Sequence, residues 1–463
     1  MPANDTALNP HGSEYSIPVF DVDEAARTFT SAPATTTSHP QPRIDVKTFI
    51  CPPDHVYPLH IIAKRYTFPR PPPSTEEENE EEGLTLLVLH STSFHKETWE
   101  PTLRELAGVI FRNRQGDSQH DSEYKKGGEG RRDVKADAKA KRERGRLWVD
   151  TAWVVECPNH GESAVLNRSI VRGAPFFGNW NLGCEKYAQA VHRFIRLAPR
   201  SAGMDFWRRG IKLVGLGHSL GGVAVSTLSN LHPLLPLRTL ILVEPLLSPG
   251  PDGNKNIEAL RKDLIAVASK RKNRWPSRAD ASAYFERLHA RIRKSKQKAQ
   301  NSAGDTKDPS SHRLGGCAWD SDVVGAFVKY GVCESEDKAG GVELACTREE
   351  EVNMYSERDG ATKAVGDLDV TCGRLPVHVV FGEAGDYVPK NVQDALVDPR
   401  SGRRFESVIE MGGVGHLIPQ QSPRALASAL AGILVREWDS NGWSWERSAA
   451  AMTALGKRER AKL

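Results

Sequence analysis

The sequence predicts an α/β fold, with a mostly parallel central sheet flanked by helices and a helical insertion late in the chain. Three observations carry this. Short runs of strand character alternate with stretches of helical periodicity, the pattern of a sheet covered on both faces. Some of these runs, such as LTLLVLH at Leu84–His90, are apolar at nearly every position, as in strands buried on both sides. The alternation stops after Glu244 and resumes after Leu375, as expected when one sheet is interrupted by an inserted segment.

Residues 1–43 are rich in Pro, Thr, Ser and Ala and are expected to be disordered. The first part of the core spans 44–245. It opens with strands at Val46–Cys51 and Leu59–Phe68, followed by a proline-rich and acidic surface loop, Pro71–Glu82. Strand Leu84–His90 leads into a helix at Trp99–Phe111. Residues 112–146 are dense in charge, so they read first as an inserted loop, with a basic interaction patch as the lesser alternative. Then come strand Val149–Cys157 and helix Asn181–Leu197, with Leu182, Tyr187, Val191 and Ile195 at roughly helical spacing. Strand Ile211–Gly217, helix Leu220–Leu231 and strand Leu237–Val243 follow. Residues 246–372 read as a helical cap, with helices at Ile257–Ala268 and Arg278–Lys294 and a polar linker at Lys296–His312. Its aromatics Trp275, Tyr284, Phe285 and Trp319 fit a small core of the cap better than a pocket lining. The second part of the core, 373–440, supplies strands Val377–Phe381 and Ser407–Met411 and a closing helix, Pro423–Trp438; 441–463 is a tail.

Composition narrows the function. The 63 basic and 59 acidic residues leave a formal charge of +4, no argument for nucleic acid as a partner. Seven cysteines without a C-x-x-C pair argue against a metal site and a disulfide framework. No apolar run is long enough to span a bilayer, and the N-terminus has no apolar signal core. The final Ala461-Lys462-Leu463 is similar to a peroxisomal address. It implies an import receptor as partner and a peroxisomal matrix location, with the cytoplasm as the alternative.

The chemistry concentrates in IKLVGLGHSLGG, Ile211–Gly222. Gly217-x-Ser219-x-Gly221 lies directly after a predicted strand and directly before a predicted helix, the context of a nucleophile elbow. The glycines allow a turn too sharp for larger side chains, and the turn presents the Ser219 hydroxyl. A serine hydroxyl needs a base. Among fifteen histidines, His416 sits after the last predicted strand in a glycine-rich loop, where the base belongs in the order Ser, acid, His. Asp386, in the loop after strand Val377–Phe381, is the first candidate for the acid, with Glu383 and Glu244 as alternatives. The backbone N–H groups of Leu220 and Thr92 are candidates for an oxyanion hole. His160, in CPNHGES, reads as a structural residue beside the elbow.

Together LLVLHSTSFHKETWEP, ECPNHGES, GHSLGG, FGEAGDYVP and GVGHLIP resemble the α/β-hydrolase superfamily over roughly Leu59–Trp438. The stretch Ser93–Trp99 and KNRWPSRADASAYF resemble a fungal branch of peroxisomal lipase-like and toxin-biosynthesis hydrolases. The resemblance implies an α/β-hydrolase fold and a serine hydrolase acting on a carboxylic ester or thioester without a cofactor. Its nucleophile falls on Ser219, its base on His416 and its usual acid on Asp386. Its H-G oxyanion motif falls on His90-Ser91, where the glycine is replaced. Serine at 219 argues against the aspartate-nucleophile chemistry that opens epoxides or removes halide. A non-hydrolytic accessory protein and an acyltransferase are the competing expectations.

Overall fold

The computed structural model describes residues 42–70, 82–115, 147–173, 183–197, 205–208, 210–301, 317–337 and 340–439. The expectations for most of 1–43, most of the 71–82 loop, residues 116–146 and the tail lie outside these residues. Eleven strands are described: β1 (Asp45–Cys51), β2 (Ile61–Thr67), β3 (Leu84–Leu89), β4 (Val149–Val155), β5 (Lys212–His218), β6 (Leu237–Val243), β7 (Arg274–Trp275), β8 (Val332–Glu334), β9 (Val342–Leu344), β10 (Val377–Gly382) and β11 (Ser407–Met411). Eight form one sheet in the order β1-β2-β4-β3-β5-β6-β10-β11. Pairing is parallel from β4 across to β11, and antiparallel where β1 and β2 finish the other edge. β3 and β6 are buried at every position, as continuous apolar strands between two helical layers must be.

The helices are α1 (Glu100–Gln115), α2 (Gly161–Gly173), α3 (Cys184–Leu197), α4 (Leu220–Leu228), α5 (Glu258–Lys270), α6 (Arg278–Asn301), α7 (Ser321–Tyr330), α8 (Arg348–Ser356), α9 (Gly360–Cys372), α10 (Lys390–Val397) and α11 (Pro423–Asp439), with shorter turns between. One face of the sheet packs on α3, α4 and α9 through Tyr187, Val191, Val223, Leu228 and Leu368. The other face packs on α1 and α11 through Leu103, Leu106, Leu430 and Leu434. Two helical layers around a mostly parallel sheet make this the α/β-hydrolase fold. Among the described residues no helix is long and apolar enough to cross a membrane.

Several boundaries move. α1 runs on through Arg112–Gln115, which the charge pattern assigned to the inserted loop. α6 runs to Asn301 and takes in the start of the expected polar linker. The segment between β6 and β10 is not purely helical: β7, β9 and β8 form a small antiparallel sheet. Trp275 and Phe285, flanked by Tyr284 and Trp319, pack with Phe327, Val332 and Leu344 as its core, joined by Phe94 and Leu417 from the main domain.

Candidate active site

β5 ends in the tight turn that its glycines require. A Cβ on Gly217 would collide with the Gly221 carbonyl, and one on Gly221 with the Leu89 carbonyl of the neighbouring strand. Between them Ser219 holds φ 54° and ψ −116°, a conformation that side chains other than glycine rarely adopt. Two tethers keep it there: the Ser219 N–H donates to the Val243 carbonyl (3.0 Å), and its carbonyl accepts from Gly222 N–H (2.9 Å). Leu220 opens α4, so its N–H belongs to the first turn, where the backbone has no intrahelical acceptor.

His416 reaches back from the loop after β11, and its Nε2 lies 2.8 Å from Ser219 Oγ. Its Nδ1 lies 3.0 Å from Glu244 Oε2. Glu244 follows β6 with φ 44° and is almost wholly buried. Its other oxygen accepts from Gly382 N–H (2.6 Å) and from the Gln393 amide (3.1 Å). With the carboxylate on Nδ1, the consistent tautomer has Nδ1–H donating to Glu244 and Nε2 accepting from the serine hydroxyl. The imidazole is gripped elsewhere too. Tyr387 stacks on it at 5.0 Å between ring centres, and His218 Nε2 donates to the His416 carbonyl (2.8 Å).

Asp386, the first candidate for the acid, does not meet the imidazole. Asp386 Oδ1 accepts the backbone N–H of His416 (2.7 Å) and that of Tyr387 (3.1 Å), so it holds the loop, not the ring. Glu383 also binds backbone, accepting Gly413 N–H at 2.8 Å. Of the three carboxylates, only Glu244 meets the imidazole.

Thr92 lies in the turn after β3, beside Leu220 on the wall of a shared cleft of about 470 Å³, part of it open to solvent. Two buried histidines shape this turn. His90 Nδ1 donates to the Ser91 carbonyl (2.8 Å), while its Nε2 accepts Cys157 N–H (3.0 Å). His160 Nδ1 donates to Asn159 Oδ1 (2.8 Å), and its Nε2 accepts Ser93 N–H (2.9 Å). Burial pushes His90 down to about 3 and His160 well below the ordinary histidine value, so both stay neutral. Ser93, at φ 71°, donates its hydroxyl to Glu351 of α8 and lies 3.1 Å from the Tyr355 hydroxyl. Arg271 binds both Glu351 oxygens, at 2.6 and 2.7 Å. The sequence reading did not single out this clamp, because its members lie far apart along the chain. Among the described residues no group of three or more His, Cys, Asp or Glu side chains is placed to hold a metal ion.

The profile of the alpha/beta hydrolase family matches residues 86–429. The chain belongs to the alpha/beta hydrolase family. It is 25% identical to the abhydrolase domain-containing protein AKT2 of Alternaria alternata, over 47% of this chain and 81% of that one. Its fold is similar to that of the peroxisomal alpha-beta-hydrolase Lpx1 of Saccharomyces cerevisiae. That likeness has a TM-score of 0.52 at 14% identity and covers 91% of this chain and 98% of the other. The family match makes a hydrolase the coarse reading of this chain.

Proposed function

We propose that this alpha/beta hydrolase cleaves a carboxylic ester or thioester through an acyl-Ser219 intermediate. The observation that carries the reading is the unbroken hydrogen-bonded line from Ser219 Oγ through His416 to Glu244, set on a strained turn. Ser219 Oγ attacks the acyl carbon as His416 Nε2 takes its proton. Glu244 holds the tautomer and stabilises the imidazolium that results. The N–H groups of Leu220 and Thr92 donate to the developing oxyanion. His416 then protonates the departing alkoxide or thiolate, and a water activated by the same imidazole releases the acid. The segment 246–372 acts as a cap over the cleft.

The test is labelling by a fluorophosphonate probe together with turnover of short p-nitrophenyl esters. Wild type is expected to show both. Ser219→Ala is expected to lose labelling and about 10⁶-fold in kcat, the scale set by removing the nucleophile of such a triad. Equal labelling of the two proteins would refute the assignment, and labelling without any turnover would favour a non-hydrolytic role. For location we propose the peroxisome, read from Ala461-Lys462-Leu463. A fluorescent fusion at the N-terminus should become diffuse when these three residues are removed.

A further inference from the structure

The cleft that holds Thr92 and Leu220 is apolar over most of its wall, through Leu246, Ile257, Leu260, Leu264, Met354 and Ala361. Leu246 ties this wall to the elbow, since its N–H points at the Ser219 carbonyl (3.4 Å). A chain of methylenes fits such a surface. One cation breaks the pattern. Arg261, on α5, lines the same cleft with a side chain only 12% exposed. Its Nη2 binds Glu258 at 3.0 Å, but Glu258 is 47% exposed and also binds Lys262 at 3.1 Å. Arg261 Nη1 is buried and has no hydrogen-bond partner. A buried guanidinium N–H left unpaired is unfavourable, and a planar carboxylate satisfies it best. Glu357 also lines the cleft, but its Oε2 accepts the Cys184 N–H at the start of α3 (2.9 Å). Glu357 is therefore already engaged, while Arg261 Nη1 stays buried without a partner.

We propose that the acyl group transferred to Ser219 is ω-carboxylated, and that Arg261 Nη1 receives its terminal carboxylate across this apolar cleft. The substrate class is thus a monoester or monothioester of a dicarboxylic acid. This rests on the acyl-Ser219 reading and narrows its substrate.

The experiment compares straight-chain p-nitrophenyl esters with their ω-carboxyl counterparts of equal length, using wild type, Arg261→Met and Arg261→Glu. Methionine retains much of the arginine stem's packing without its charge. At one chain length wild type is expected to prefer the ω-carboxyl ester by about tenfold or more in kcat/KM, the scale of one charge-assisted hydrogen bond. Arg261→Met is expected to cut that ratio by about tenfold, and Arg261→Glu to invert it. An active wild type with no ω-carboxyl preference at any length overturns the proposal alone. So does an Arg261→Met protein, labelled at Ser219 by the probe, whose ratio is undiminished. The wild-type ratio decides even if the variants fail to fold. A wild type that turns over no ester and takes no label overturns the hydrolase reading, and this inference with it.

Discussion

Glu244 and Asp386 both lie beside His416, and their partners separate them. Glu244 meets the ring nitrogen, whereas Asp386 meets the peptide N–H of the same residue. Glu244→Gln must set its NH2 either against the ring Nδ1–H or against the Gly382 N–H. It is expected to lower kcat by about 10²–10⁴-fold, the range set by mis-orienting the base of a triad. Asp386→Asn keeps an acceptor for the His416 N–H and is expected to cost less than about tenfold. Steady-state kinetics of both folded variants on one p-nitrophenyl ester checks this, and the reverse order would return the acid's role to Asp386. The sequence reading ranked them the other way for a physical reason. Ser219 and His416 are marked by local glycine patterns, but the acid is chosen by which strand end points at the imidazole. The positive φ of Glu244, which bends the chain as it leaves β6, leaves no trace in LILVEP.

Most elements of the core were legible because the central strands β3, β5 and β6 are largely buried apolar runs and most flanking helices have a buried stripe. Elements without such a run were missed. β7, β8 and β9 have two or three residues each, too short to show alternation. α9 buries Ala361, Ala364, Val365 and Leu368 at helical spacing, but glycine, threonine and aspartate between them hid the stripe. Where the insertion meets the core, α8 holds the Thr92–Ser93 turn through Glu351. That carboxylate is 4% exposed and Arg271 is 25% exposed. Arg271→Met leaves Glu351 with Ser93 alone, and is expected to destabilise by about 2–3 kcal/mol, below the 3–5 kcal/mol typical of a fully buried pair because Arg271 is partly solvated. Since Ser93 adjoins Thr92, kcat should fall more than KM rises. Urea unfolding and steady-state kinetics read the two effects, and an unchanged kcat would detach the clamp from the oxyanion side.

Across the whole molecule, several histidines are folded in as neutral groups. His90, His160 and His218 are buried and pushed below the ordinary value by desolvation, His90 to about 3. For His90 and His160 the geometry explains the resistance, because protonation would place an N–H against Cys157 N–H or Ser93 N–H. A histidine whose folded value lies below its unfolded value, about 6.5, binds fewer protons when folded. Its contribution to stability is therefore complete above pH 6.5 and is lost as pH falls, for His90 toward about 3. Each such group adds up to about 1.4 kcal/mol per pH unit to the acid-side slope. Urea unfolding at pH 7.5 and pH 5.5 is expected to show this loss. His160→Gln isolates one contribution, since glutamine can still accept from Ser93 N–H but does not titrate. It is expected to be less stable than wild type at pH 7.5 yet to have a shallower slope below pH 6.5. Parallel slopes would mean that His160 does not contribute to the acid limit.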